Sequence, residues 1–248
     1  PITTIPLVYE GDRITELILD ALAETDIRLE DGDIIVIAQK IISKSEGRLV
    51  NLSQVIPSIE AIKLANTVGK DARLVQLILN ESKSVIRIKP GTIIVEHKLG
   101  FICANAGIDH SNVHSKTGSN EDTCYLLLPV DPDGSAESIR EEIRGKIHVD
   151  IGVMIIDSHG RAWRHGIVGT SIGLAGVPGL VDMRGYPDIF GSPLRITQVA
   201  AADELAAAAS LMMGQAAERV PVVHVRGFPY KLKTSSSINE LIRAKEEV

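Results

Sequence analysis

Two aspartates in this 248-residue chain stand where apolar stretches give way to polar ones. Asp157 ends the run Ile151-Gly-Val-Met-Ile-Ile156, and Asp109 follows a short stretch from Ile102 through Ala106-Gly-Ile108. Two carboxylates brought to 4 Å repel by roughly 4 kcal/mol at an effective dielectric near 20. Such a pair calls for a cation, and a divalent metal is the natural one. Hard ions take oxygen ligands and often use only one or two protein carboxylates beside phosphate oxygens. The stretch that Asp157 opens suits a phosphorylated ligand: residues Asp157 to Gly191 hold eight glycines, three arginines and two histidines. Glycine at that density points to backbone conformations or close approaches that side chains would block. The plain alternative is a long surface loop, although the stretch keeps many apolar residues and Trp163 reads as buried.

Three other blocks carry compatible chemistry, and each also has an ordinary explanation. Gln39-Lys40-Ile-Ile-Ser43-Lys44-Ser-Glu46-Gly47-Arg48 puts three cations and two hydroxyls after a strand-like run, where sites are commonly built. It could contact a polyphosphate, but it is not the G-x-x-x-x-G-K-[ST] loop, and alone a solvated charged turn explains it better. Asn105-Ala-Gly-Ile-Asp109-His110-Ser111-Asn112 offers a carboxylate, an imidazole and two amides, although Asp and Asn are common in any turn. At Met212-Met213-Gly214-Gln215, Gly214 can cap a helix and Gln215 can offer a neutral oxygen to a metal, with a plain C-cap sufficient otherwise. His159 and His165 are left unassigned, because a lone histidine is more often a hydrogen-bonded structural residue. The chain has no G-x-S-x-G, H-E-x-x-H or Ser-His-Asp signature.

Hydrophobic spacing indicates the elements that must position these blocks. Ile2 to Val8, Ile34 to Ala38, Ile102 to Asn105, Thr123 to Val130, His148 to Ile156 and Val220 to Val225 read as strands. Ser84 to Ile88 and Thr92 to His97 flank Pro90-Gly91, a hairpin pattern. Helices are expected over Ile14 to Thr25, Ser58 to Glu81 with a break near Gly69, and Ser135 to Lys146 with Ser135 as N-cap. Two more are expected over Ala200 to Met213, with Asp203 and Glu204 near its start, and over Ser236 to Val248. Hairpins mixed with isolated helices favour an α+β fold over regular βαβ winding.

Composition narrows the function classes. The apolar fraction of 44% and charged fraction of 23% are ordinary for a globular domain. Aromatics at 3% and a net charge of −6 argue against a nucleic-acid surface. No uncharged apolar run reaches the roughly 18 residues of a membrane span, and the N-terminus lacks the pattern of a signal peptide. Cys103 and Cys124 are the only cysteines, too few for a Cys-based metal site, and two free thiols fit a cytoplasmic protein.

Taken together and in order, A-Q-K-I-I-S-K-S-E-G-R, N-A-G-I-D-H-S-N, L-L-P-V-D-P-D-G-S-A, D-S-H-G-R-A-W-R-H-G and A-D-E-L-A-A-A-A-S-L-M-M-G resemble the coenzyme F420-0:L-glutamate ligase family, the gamma-glutamyl ligases. The resemblance spans nearly the whole chain. It implies a gamma-glutamyl ligase-like α+β fold of mixed, largely antiparallel sheets with packed helices, in an intertwined homodimer. Residues 1–248 then form one unit, undivided or built of two interleaved subdomains, with no fused flavin-binding domain. The implied reaction is GTP-dependent addition of L-glutamate to F420-0, a deazaflavin carrying a phospholactyl arm, through an acyl phosphate, with further gamma-linked glutamates added afterwards. Implied cofactors are two divalent ions, Mg²⁺ or Mn²⁺, and K⁺.

Carried over position by position, the resemblance makes Asp109, Asp157 and Lys44 the catalytic set. Asp109 and Asp157 hold divalent metal, with Ser158 and Gln215 serving a second ion. Some relatives have Thr and Glu at these last two positions, and glutamine keeps an oxygen while losing the charge. GTP contacts fall on Ile5, Pro6, Leu7, Val8, Gln39, Lys40, Lys44, Asn112 and Met213, Gly214, Gln215, Ala216, Ala217, Glu218, Arg219 and Val220. The loop Val113 to Asp122 is longer than in some relatives. Two other readings use the same residues: a metal-dependent nucleotide phosphohydrolase, and a non-catalytic deazaflavin- or nucleotide-binding protein.

Overall fold

A strand as uniformly apolar as Ile34-Ile-Val-Ile-Ala38 must be covered on both faces, and the rest of the chain supplies the covers. The structure, a computed structural model, describes residues 1–110 and 124–244. In chain order the elements are α1 (Ile14–Glu24), β1 (Ile34–Ala38), α2 (Gln39–Ser45), β2 (Leu49–Asn51), α3 (Ile59–Val68), α4 (Ala72–Asn80), β3 (Ser82–Lys89), β4 (Thr92–His97) and β5 (Ile102–Ala104). Then come β6 (Cys124–Leu126), α5 (Pro132–Ile147), β7 (Gly152–Arg161), β8 (Arg164–Ala175), β9 (Val181–Asp182), β10 (Gln198–Val199), α6 (Ala201–Met213) and β11 (Val222–Val225).

The central sheet has the order β11-β1-β7-β8, with β1 and β7 parallel and the other pairs antiparallel. Alternation along β1 divides its side chains between two cores. Ile35 and Ile37 pack with Ile18 and Leu22 of α1 and Ile139 and Ile143 of α5. Ile34 and Val36 pack with Ala202, Ala206 and Ala209 of α6. A second sheet, β3-β4-β5, joins α3 and α4 around a separate core containing Ala61, Val75, Ile78 and Val95. The class is α+β, as the mixture of hairpins and helices indicates.

Much of the glycine-rich stretch is not loop. β7 continues through Asp157 to Arg161, turns at Ala162-Trp163, and returns as β8 with Arg161 opposite Arg164. The glycines of β8 serve close packing. A Cβ on Gly169 would lie 2.3 Å from the Ala206 carbonyl oxygen of α6, and one on Gly173 2.5 Å from that of Pro132 in α5. Side chains at these two positions would hold the helices off the sheet.

Other expectations need correction. Ile2 to Val8 forms no strand beyond a single bridge between Ile2 and Val222, and Pro6 within it has no N–H for a ladder. The strand expected over Thr123 to Val130 is confined to β6, with Thr123 outside the described residues. Asp131, not Ser135, caps α5: its Oδ1 accepts from the Gly134 amide at 3.0 Å, and Pro132 occupies the first turn. β7 starts at Gly152 because His148, at φ 57°, ends α5 in the left-handed region. In place of a terminal helix there is one 3₁₀ turn, Ile238–Glu240, where Ser237 Oγ and the Ile238 amide donate to Asp133 instead; residues 245–248 lie outside the described set. Cys103 and Cys124 are both buried. Among the described residues no helix is long and apolar enough to cross a membrane.

Candidate active site

β1 passes directly into α2, so the block read as a charged turn is helical and its side chains point in fixed directions. Gln39 and Ser43 sit one helical turn apart and face each other, with Ser43 Oγ donating to Gln39 Oε1 at 2.8 Å. That bond commits the amide nitrogen of Gln39 to donate to Asp109 Oδ2, at 2.9 Å. Lys40 Nζ stands 3.5 Å from the same oxygen. Asp109 is itself pinned to β6 by paired backbone bonds with Leu126, 2.9 and 2.8 Å long.

The second carboxylate comes from the far half of β7. Asp157 Oδ2 lies 3.0 Å from His159 Nε2, although the ring nitrogen is not aligned for a hydrogen bond. Ser158 Oγ donates to Gln215 Oε1 at 3.1 Å, and Gln215 Nε2 donates to Ser210 Oγ of α6 at 3.0 Å. Gly214 ends α6 at φ 74°, and Glu218 folds back to accept from the Ala216 amide at 2.7 Å.

These pieces enclose one cleft of about 850 Å³. Its walls include Ile5, Pro6, Leu7 and Val8, Gln39, Lys40 and Lys44, Asp109, Asp157 and Ser158, and the run from Met213 to Val220. Every candidate residue within the described chain is therefore brought together; Asn112 and the loop Val113 to Asp122 lie outside the described residues. A second cavity of about 480 Å³, lined by Asp12, Glu46, Asp131, Ser135 and Glu142 among others, contains none of them.

Electrostatics ties the two aspartates to one site. Burial pushes the Asp109 carboxyl up, Lys40 and Gln39 oppose the shift, and the charge of Asp157 adds to it. Burial and the neighbouring Lys40 both push the Lys44 ammonium down. A wall with two ammonium groups thus faces two carboxylates and the neutral oxygens of Ser158 and Gln215. Among the described residues no three His, Cys, Asp or Glu side chains cluster as an all-protein metal centre. Two carboxylates with hydroxyl and amide oxygens still fit a hard divalent ion whose remaining positions go to phosphate or water.

One reading of the basic glycine-rich block is overturned. Trp163 is 97% exposed, at the two-residue turn between β7 and β8, instead of buried. Arg161 and Arg164 stand at that same tip, and it is the α2 lysines that line the cleft. Spacing missed Ser43 and Ser210, which orient Gln39 and Gln215. A helical reading of residues 39–45 would have paired Gln39 with Ser43, whereas the Gln215 contact depends on the chain reversing after Gly214.

The sequence matches the F420-0:Gamma-glutamyl ligase family over residues 3–227. It is 46% identical over 242 residues to the coenzyme F420:L-glutamate ligase of Methanothermobacter thermautotrophicus, covering 97% of this chain and 93% of that one. The enzyme of the same name from Methanocaldococcus jannaschii is 43% identical, with 98% and 92% covered. That from Archaeoglobus fulgidus is 40% identical, with 100% and 93% covered.

Proposed function

The chain belongs to the F420-0:Gamma-glutamyl ligase family, and on that footing we propose that it joins L-glutamate to coenzyme F420-0 at the expense of GTP, in the biosynthesis of coenzyme F420. The observation that carries this reading is the single cleft holding Asp109, Asp157, Lys40 and Lys44. Phosphoryl transfer needs alignment and charge neutralisation more than a protein nucleophile, and the cleft is built of groups that do both.

In the proposed reaction a carboxylate oxygen of the phospholactyl arm attacks the γ-phosphorus of GTP. The bond to the β-phosphate oxygen breaks and GDP leaves with its electron pair. The glutamate amine then attacks the acyl carbon, inorganic phosphate departs with the original carboxylate oxygen, and the amine gives up a proton as the amide forms. Later rounds present the newly added γ-carboxylate. Lys40 and Lys44 compensate phosphate charge, and an arriving anion favours the ammonium that burial and Lys40 disfavour at Lys44. Gln39, fixed by Ser43, keeps Asp109 oriented, while the open backbone from Met213 to Val220 and the segment Ile5 to Val8 border the nucleotide. Asp109 and Asp157 would hold one divalent ion, Mg²⁺ or Mn²⁺, and Ser158 and Gln215 would serve a second; such ions polarise the phosphoryl oxygens and stabilise the leaving group. K⁺ as an activator and a homodimer complete the proposal.

The acyl-phosphate route is tested with F420-0 labelled with ¹⁸O in the reacting carboxylate. One labelled oxygen should appear in the phosphate released. Phosphate free of ¹⁸O, its fourth oxygen supplied by water and formed without glutamate, would mean a nucleotide hydrolase instead. Tight binding of F420-0 or GTP with no turnover in wild type or Asp157→Asn would mean a binding protein.

A further inference from the structure

His159 has no role in the reaction as described, yet its surroundings are built around it. It lies two residues beyond Asp157 on β7, and alternate residues of a strand share a face. Its Nε2 stands 3.0 Å from Asp157 Oδ2, with the two side chains only 12% and 11% exposed. That nitrogen is buried and has no hydrogen-bond partner. Against the imidazole packs Phe101, its ring centre 5.3 Å away at a 49° tilt, and Phe101 stacks nearly parallel on His97, also at 5.3 Å. His97 is buried and fixed, its Nδ1 accepting from the Leu99 amide at 3.0 Å and its own amide donating to the Phe101 carbonyl at 2.9 Å. Three rings thus form a column from the β4–β5 turn to the acidic pair.

The two aspartates are supported differently. Asp109 has Gln39 and Lys40. Among the described residues no lysine or arginine comes within ion-pair distance of Asp157, and its close polar neighbour is His159. We propose that His159 is a positioning residue: its imidazole, braced by Phe101 and His97, holds the Asp157 carboxylate in the orientation that receives a divalent cation. This rests on the metal role proposed above for Asp157. Carboxylates that hold metals are themselves held by neighbouring groups, and removing such a neighbour typically costs about 10–100-fold in metal affinity.

The test is a Mn²⁺ titration read by the electron paramagnetic resonance of the free ion, with a non-hydrolysable GTP analogue present. His159→Phe keeps a ring against Phe101 and removes the nitrogens, so the Mn²⁺ Kd should rise about 10–100-fold while the metal-free unfolding temperature stays at the wild-type value. His159→Gln, which retains an N–H, should recover part of the affinity. If His159→Phe does not fold, Phe101→Leu decides the matter: it loosens the brace and should weaken Mn²⁺ binding. A wild-type Kd in His159→Phe, or in Phe101→Leu when that variant decides, overturns the inference. Asp157→Asn is the control that separates the two claims. If it loses Mn²⁺ while His159→Phe does not, only the role of His159 falls; if Asp157→Asn binds Mn²⁺ like wild type, the metal role falls and this inference with it.

Discussion

Lys44 lies one helical turn beyond Lys40, and both burial and that second charge disfavour its ammonium form. A phosphate at this wall favours the charged form of Lys44 that burial and Lys40 oppose. Lys44→Met, nearly equal in length but uncharged, should therefore lower kcat/KM by about 100-fold without shifting the unfolding temperature. Steady-state kinetics with calorimetry checks this, and near-normal turnover would remove Lys44 from the mechanism. His97 makes a prediction about stability. Burial is the main cause that pushes its pKa down to about 4 from the ordinary 6.5. Between those pH values the unfolded chain holds a proton that the folded chain does not, so stability is lost as pH falls from about 6.5 towards 4. The loss approaches about 3 kcal/mol. Urea unfolding at pH 7 and pH 4.5 should show a smaller difference for His97→Phe than for wild type, and equal differences would refute the buried neutral imidazole. At this scale Asp109 and Asp157 were legible because each ends an apolar stretch. The contact of His159 with Asp157 was not, because Phe101 reaches it from a different sheet.

Among elements, α2 is the one whose misreading mattered most. Its seven residues come after β1 with no turn residue between them, so neither a break nor a long hydrophobic period marks the helix. The β7–β8 hairpin was hidden for a related reason: glycine weakens a strand pattern, yet the close approach of α5 and α6 demands glycine at Gly173 and Gly169. Gly169→Val should destabilise by at least 1–3 kcal/mol, on the order expected for overpacking, since its side chain meets the Ala206 backbone. Gly160→Ala, where a Cβ meets nothing within 4 Å, should stay within about 0.5 kcal/mol of wild type. Denaturant unfolding of the two variants makes the comparison, and equal stabilities would mean that α6 does not seat on β8 in this way. By contrast, α3 and α4 were legible to within a few residues, Gly69 capping α3 at φ 69° where the break was expected.

At the scale of the whole molecule, the cleft lies where the end of β1, the far half of β7 and the end of α6 meet. The α+β class could be read from the alternation of hairpins and helices, because those patterns depend only on local spacing. The terminal 3₁₀ turn could not, since it is fixed by Asp133 more than a hundred residues away. Ile189 and Phe190, on a segment closed by pairing between Pro187 and Pro193, and Ile196 just beyond it are 87–92% exposed. Large apolar side chains left this open suit a partner surface, in keeping with the proposed homodimer. Sedimentation equilibrium should give twice the chain mass, and the double variant Ile189→Asp, Phe190→Asp should shift it towards one. A monomeric wild type would contradict the dimer. Coenzyme chemistry itself is most directly tested by mass spectrometry of F420-0 incubated with the protein, L-glutamate, GTP and Mn²⁺, omitting each component in turn. The product should gain whole glutamate residues only when all are present, and should gain none with Asp109→Asn or Asp157→Asn. GTP cleavage without any gain in the mass of F420-0, or an undiminished gain in either variant, would contradict a metal-assisted ligase at this cleft.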